Sequence, residues 1–92
     1  MELKHDTNWI YIKDDNNNVV AEVTFPNVAD DVVNMNHTYV DNSLRGQGVA
    51  GKLVEAAYDS IKKQGKKVVP SCPYAVKWFE EHPEKSDILE ED

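Results

Sequence analysis

Between Leu44 and Lys52 the chain reads Leu44-Arg45-Gly46-Gln47-Gly48-Val49-Ala50-Gly51-Lys52. Three glycines stand within six residues, an arginine precedes them, and an amphipathic helix pattern follows. No other stretch constrains the fold as strongly, because the chain has to turn tightly here and open into a helix. Glycine admits left-handed backbone angles and lets a ligand come close to the main chain. The first amides of a helix have no internal partner, and the helix dipole favours negative charge beside them. The stretch therefore predicts a phosphate held at a helix N-terminus.

Three patterns fit these residues, and their contexts separate them. Gly46, Gly48 and Gly51 match the dinucleotide fingerprint GxGxxG, which wants an acidic residue about 20 positions further on. That region reads Val68-Val69-Pro70-Ser71-Cys72, with no carboxylate. Gly46 to Lys52 nearly matches the P-loop, but the hydroxyl that would hold magnesium is replaced by Leu53. Arg45, Gly48 and Ala50 satisfy every position of the acyl-CoA pattern [QR]xxGx[GA].

A chain of 92 residues predicts one domain, 1–92, ending in an acidic tail at about 84–92. Such a domain buries roughly 60–65% of its unfolded surface, enough for one modest core and a cleft. The net charge of −7 argues against general nucleic-acid binding, which needs a basic face. It agrees with a cationic partner such as an amine. An anionic ligand then has to be cradled locally, and Arg45 and Lys52 flank the glycines. No apolar run approaches the roughly 20 residues that span a bilayer, and the N-terminus has no signal-peptide pattern. The single cysteine excludes an internal disulfide and fits a reducing, cytoplasmic setting. The Asn36-His37-Thr38 sequon is then a chance match.

In chain order, Asn8–Ile12 and Val19–Phe25 read as strands of an antiparallel hairpin about the turn-forming Asp14–Asn18. Pro26 ends the second strand, and 27–31 read as a turn. A third strand is expected over Val32–Val40, with Val33, Met35, His37 and Tyr39 on one face. A helix is expected from about Gln47 to Gln64, burying Val49, Ala50, Leu53, Val54, Ala56, Ala57 and Ile61 and capped by Gly65. Lys66–Pro70 is a short strand, parallel to an earlier one by the right-handed crossover rule. Tyr74–Glu81 is a second helix, stopped by Pro83, and the tail after it is expected to fray at its end. The fold class is α/β, with a mixed sheet: three antiparallel strands, then helix, strand and helix.

This order, with Arg45-x-x-Gly48-x-Ala50 opening the central helix, resembles the GNAT superfamily of N-acetyltransferases. His37-Thr38-Tyr39-Val40 and Pro70-Ser71-Cys72-Pro73-Tyr74 look like its small, single-domain (YjdJ-type) branch. The resemblance runs from roughly Asn8 to Pro83. It implies a minimal fold in which two parallel strands splay apart to admit acetyl-CoA. The pantetheine would pair with the backbone of Tyr39, Val40 and Asp41. The pyrophosphate would meet Arg45, Gly46, Gln47, Gly48, Val49, Ala50, Gly51 and Lys52. The helical insertion after the first strand and the C-terminal strands of larger members are missing, and these usually shape the acceptor pocket.

Three residues are the catalytic candidates. His37 carries an imidazole, the side-chain type suited to take a proton from an amine or thiol near neutral pH. Cys72 follows the parallel strand, at the sheet end where ligands bind and just before a helix N-terminus. With His37 as its expected neighbour, it is a candidate beside the thioester. Direct transfer and an acetyl-Cys72 intermediate are both open, with direct transfer favoured by the resemblance. Tyr74 is the candidate to protonate the departing thiolate, as helix tyrosines do in larger relatives. His5 and His82 show no partner signal, and no metal-ligand spacing occurs. The expectation is an acetyl-CoA-dependent N-acetyltransferase, monomer or weak dimer, acting on a small amine or a protein lysine. Its rival is a non-catalytic acyl-CoA or nucleotide-phosphate binding module.

Overall fold

The computed structural model describes residues 2–90. Strands β1 (Lys4–Asp6), β2 (Trp9–Lys13) and β3 (Val19–Thr24) form an antiparallel meander. Short strands β4 (Asn27–Ala29) and β5 (Val32–Met35) follow, then β6 (His37–Val40). After a 3-10 turn at Asn42–Leu44 come helix α1 (Val49–Lys63), strand β7 (Lys67–Pro70), helix α2 (Pro73–Glu81) and a second 3-10 turn, Pro83–Ile88. The strands make two sheets, ordered β1-β2-β3-β6 and β4-β5-β7. The crossover through α1 makes β7 parallel to β5, pairing Val33 with Val68 and Met35 with Pro70.

The hairpin turn is built by Asp14, whose carboxylate accepts from the amides of Asn16 and Asn18, both at 2.9 Å. Asn17 takes the left-handed conformation there, at φ 68°. Alternation along β2 and β3 buries Ile10, Ile12, Ala21 and Val23 on one face. Helix α1 covers that face with Val49, Leu53, Val54, Ala57, Tyr58 and Ile61. Burying a side chain such as Leu53 contributes about 1.5–3 kcal/mol. The helix ends as expected at Gly65 (φ 72°), with the amides of Gly65 and Lys66 returning to the carbonyls of Lys62 and Ile61. Its start lies two residues later than expected, because Gly48 holds the left-handed cap position. Ala50 and Ala56 are half-buried rather than core, and the stripe is completed by Tyr58, which the apolar pattern missed.

The expected third strand is in fact two. Asn36 and His37 both stand opposite Thr24: His37 is its ladder partner, and the Asn36 amide donates to the Thr24 carbonyl at 3.3 Å. One extra residue in a strand is a β-bulge, and it reverses which side chains face inward. Val33 and Met35 are buried, but beyond Asn36 the inward positions pass to Thr38 and Val40. His37 and Tyr39 are thereby turned onto the opposite, open face of the sheet, a correction to the continuous alternation read from sequence. The bulge also moves β6 into the first sheet while β5 stays with β7. The segment 27–31, read as a turn, contains β4 instead.

The tail packs as far as Glu90. Ile88 is buried, and Leu89 forms an isolated parallel bridge to Val68. The Glu90 amide donates to the Val68 carbonyl at 2.9 Å. Apolar residues at 88 and 89 have a core to reach, and the acidic composition around them hid this. Glu91 and Asp92, the last residues of the expected tail, lie outside the described residues. Among the described residues no helix is long and apolar enough to cross a membrane.

Candidate active site

Where β5 and β7 end, β6 diverges toward β3 and a gap opens. The amides of Ser71 and Cys72 both donate to the Met35 carbonyl, at 3.0 and 3.3 Å, and so fix the apex of the gap. Beyond the apex β6 has β3 on one side and, among the described residues, no strand on the other. A cleft of about 430 Å³ lies against this free edge. Its walls are Thr38, Tyr39 and Val40 of β6, the Leu44–Gly46 loop, the start of α1 at Gly48–Ala50, and Tyr74 of α2.

The loop and helix start present a row of donors. Gly46 and Gly48 have φ of 82° and 72°, left-handed angles that glycine takes without strain. Among the described residues, no backbone carbonyl or side chain accepts from the amides of Gly46 to Gly51. The first amide to find a partner is Lys52, bonded to the Gly48 carbonyl at 3.1 Å. A helix end bare of caps and flanked by the exposed Arg45 suits an anion. The cleft's other end is tied by Asp41, which caps the 3-10 turn through Ser43 and accepts from the Tyr39 hydroxyl at 3.2 Å. The Ser43 hydrogen bonds hold the Asp41 carboxyl below the usual carboxylate range. Partial desolvation and the Asp41 bond push Tyr39 above the usual tyrosine value.

The sequence candidates separate into three places. Tyr39, Val40, Arg45, Gly46, Gly48, Val49, Ala50 and Tyr74 line the cleft. Gly51 lies under Tyr74, whose hydroxyl stands 3.4 Å from the position a β-carbon would take. Asp41, Gln47 and Lys52 flank the cleft without lining it. Cys72 is buried as the N-cap of α2, its sulfur accepting from the Ala75 amide at 3.3 Å. The residue that meets it from β6 is Thr38, with Oγ1 3.8 Å from Sγ. His37 is not beside Cys72. It lies on the open face, with Nε2 3.3 Å from a carboxylate oxygen of Glu22. Sequence reasoning missed Thr38, Leu44 and Glu22; alternation past a bulge misassigns the first, and nothing local in sequence marks the other two.

The fold and this cleft can be set against known proteins. The model of the GCN5-related N-acetyl-transferase family matches residues 9–88. The chain belongs to that family. Its fold matches a GCN5-like protein of Staphylococcus aureus solved by NMR, with a TM-score of 0.80 and 35% identity over 97% of this chain and 87% of that one. It also matches the GNAT-family protein YhbS of Escherichia coli, crystallised in complex with CoA, with a TM-score of 0.62 and 29% identity. That match covers 75% of this chain and 42% of YhbS. Among curated proteins, Protein NATD1 of Homo sapiens is 32% identical over 63 residues, 68% of this chain and 56% of NATD1. NATD1 of Mus musculus is likewise 32% identical. The chain thus spans little more than half the length of these curated relatives. The bare start of α1 beside the free edge of β6 is the part of the cleft whose donors suit an anion.

Proposed function

We propose that the chain is a single-domain, acetyl-CoA-dependent N-acetyltransferase with an amine acceptor, a small amine or a protein lysine. The observation that carries this reading is the run of unpartnered amides from Gly46 to Gly51, opening on the cleft beside the free edge of β6. Pyrophosphate is the group such a helix end takes, and Arg45 adds a positive charge beside it. Of Tyr39, Val40 and Asp41, Val40 turns its backbone donor and acceptor to the free edge, where an amide-bearing pantetheine arm can pair as an added strand does; the Asp41 amide is already given to the Val20 carbonyl at 2.8 Å, and Tyr39 and Asp41 flank the arm. Gln47, Val49, Ala50 and Lys52 complete the cradle.

The reaction needs positioning and two proton movements. A neutral amine attacks the thioester carbon, the C–N bond forms, the C–S bond breaks, and CoA leaves as thiolate. His37, at the apex end of β6, is the proposed acceptor of the amine's surplus proton. Tyr74 is the proposed proton donor to the thiolate. Burial, and then the Glu81 charge, hold its hydroxyl above the usual tyrosine value, so it carries the proton it would give. Cys72 is buried, and its sulfur already accepts from Ala75. That supports a role in positioning Thr38 and the acyl end, with direct transfer to the amine. An unbridged cysteine also agrees with a reducing, cytoplasmic setting.

One observation favours the second reading, a non-catalytic acyl-CoA or nucleotide-phosphate binding module: both helices pack on one side, and the face bearing His37 is open. The two readings separate on purified protein given acetyl-CoA and a panel of amines. Amine-dependent release of CoA thiol supports the transferase. Binding of CoA without release under any amine leaves the binding module.

A further inference from the structure

The open face of the first sheet carries a cluster that shares only Tyr39 with the cleft walls. Tyr11, Glu22 and Tyr39 stand opposite one another across β2, β3 and β6, and Trp9, Thr24 and His37 form the adjacent row. Glu22 is the meeting point of the two rows. Its Oε1 accepts from the Trp9 indole N–H at 2.9 Å, and its Oε2 stands 3.3 Å from His37 Nε2. Trp9 is itself held, stacked on Tyr11 with centroids 3.9 Å apart. The carboxylate side chain is 25% exposed and the imidazole 50%, so the support is the more buried member and the histidine the more open one.

An ionised carboxylate has no proton to give, so the hydrogen of the His37–Glu22 contact belongs to Nε2. In the neutral imidazole the other nitrogen, Nδ1, is then the free acceptor. We propose that Glu22 is the positioning residue of this site: fixed by Trp9, it holds His37 in the Nε2–H tautomer and leaves Nδ1 to take the proton of the acceptor amine on the open face. This rests on the reading of the chain as an acetyltransferase. The proton leaves the amine nitrogen for Nδ1, the nitrogen lone pair forms the C–N bond, and the C–S electron pair departs with CoA sulfur. A base oriented by a third group is a recurring device for proton transfer. Here the third group comes from β3, and the bulge at Asn36 brings the base to it.

The test reads the tautomer directly and the chemistry separately. Nitrogen-15 NMR of the full chain, labelled in histidine, assigns the protonated ring nitrogen of neutral His37. The expected wild-type result is a proton on Nε2. Glu22→Gln keeps the shape but offers an amide N–H that can donate to Nε2, and should populate the Nδ1–H form; Glu22→Ala removes the acceptor altogether and should leave the ring exchanging between the two tautomers as a free imidazole does. With acetyl-CoA and an amine, Glu22→Gln should lower kcat about tenfold, within the range of general-base effects, and leave KM for acetyl-CoA within twofold. A side chain with only a structural role would not change the tautomer. A wild-type Nδ1–H form, an unchanged tautomer in both variants, or an unchanged kcat overturns the proposal. Wild-type protein with the Nε2–H form and no acetyl transfer to any amine instead overturns the transferase reading, with the Glu22 assignment falling only as a catalytic device.

Discussion

Two glycines that flank α1 allow the phosphate cradle to be tested against its own backbone control. Gly48 and Gly65 both have φ of 72°, and a β-carbon at either meets no atom within 4 Å. Alanine at either position therefore carries the same left-handed strain, roughly 1–2 kcal/mol. In a domain this size, where each kcal/mol shifts the midpoint by about 4–8 °C, both variants should melt lower by a similar amount. They should differ only toward ligand. Gly48 lies on the cleft. Gly65 lies past the far end of a 15-residue helix, about 22 Å along its axis. A methyl group at Gly48 would hold a phosphate off at least one amide, and a hydrogen bond to a charged group is worth about 1.5–3 kcal/mol. That is about ten- to a hundredfold in Kd for CoA. Isothermal titration measures it, with Gly65→Ala expected within twofold of wild type. Gly48→Asn, which tolerates the left-handed angle better, should lose affinity with less loss of stability. Equal CoA affinity in Gly48→Ala and Gly65→Ala would place the phosphate elsewhere and refute the argument.

CoA or acetyl-CoA at a hundred times its Kd should stabilise the fold by about 2.7 kcal/mol, and NAD and ATP should leave the melting temperature unchanged; stabilisation by ATP alone would overturn the choice of ligand. Cys72→Ala should lose about 0.5–2 kcal/mol with its helix cap and keep most of its acetyl transfer. Acid-quenched wild type incubated with acetyl-CoA alone should carry no acetyl on Cys72, and a stoichiometric adduct that amine discharges would reverse the direct-transfer reading. Ile88→Ala should cost about 2–5 kcal/mol by chemical denaturation, and a cost near zero would mean that the tail does not pack. Asp87 is held below the usual carboxylate range by the Tyr58 hydroxyl and then by Lys62. Its folded-state value is therefore the lower one, and its stabilisation is present above the ordinary carboxylate pKa and fades as pH falls through the lowered value. Asp87→Asn should flatten this acid limb of the stability profile, and superimposable profiles would contradict the assignment.

The hairpin, both helices, the Gly65 cap and the parallel pairing of β7 were legible because each rests on a local rule: turn residues, a helical stripe, a left-handed cap, a crossover of fixed hand. The cleft was legible for the same reason, since its donors are backbone amides whose availability follows from glycine and from a helix start. What was not legible depends on contacts between distant segments. Asn36 carries no sign that Thr24 will pair with its neighbour. Ile88 and Leu89 look like part of an acidic tail until Val68 is placed beside them. Glu22 looks like one more exposed strand position until Trp9 and His37 arrive from two other strands. Each of these is a non-local pairing, and single-sequence periodicity contains no term for it.

The bulge at Asn36 is the point from which the site's division of labour follows. Without the extra residue, His37 and Tyr39 would point to the helix side with Val33 and Met35, into a core built of apolar side chains. Burial there would disfavour the charged imidazole and blunt it as a base. The inward positions are filled instead by Thr38 and Val40, uncharged side chains suited to a wall along which an acyl carrier can lie. The imidazole goes to the open face, half-exposed and backed by a carboxylate. On the proposed reading, the anionic carrier and the cationic acceptor then approach from opposite sides of β6. The carrier is drawn to the bare amides of α1, and the acceptor comes to a face where Glu22 supplies negative charge. A protein of net charge −7 would otherwise repel the first while attracting the second. Separation by a single strand lets both meet at the apex, where Thr38 touches Cys72 on one side and His37 leads onto the other.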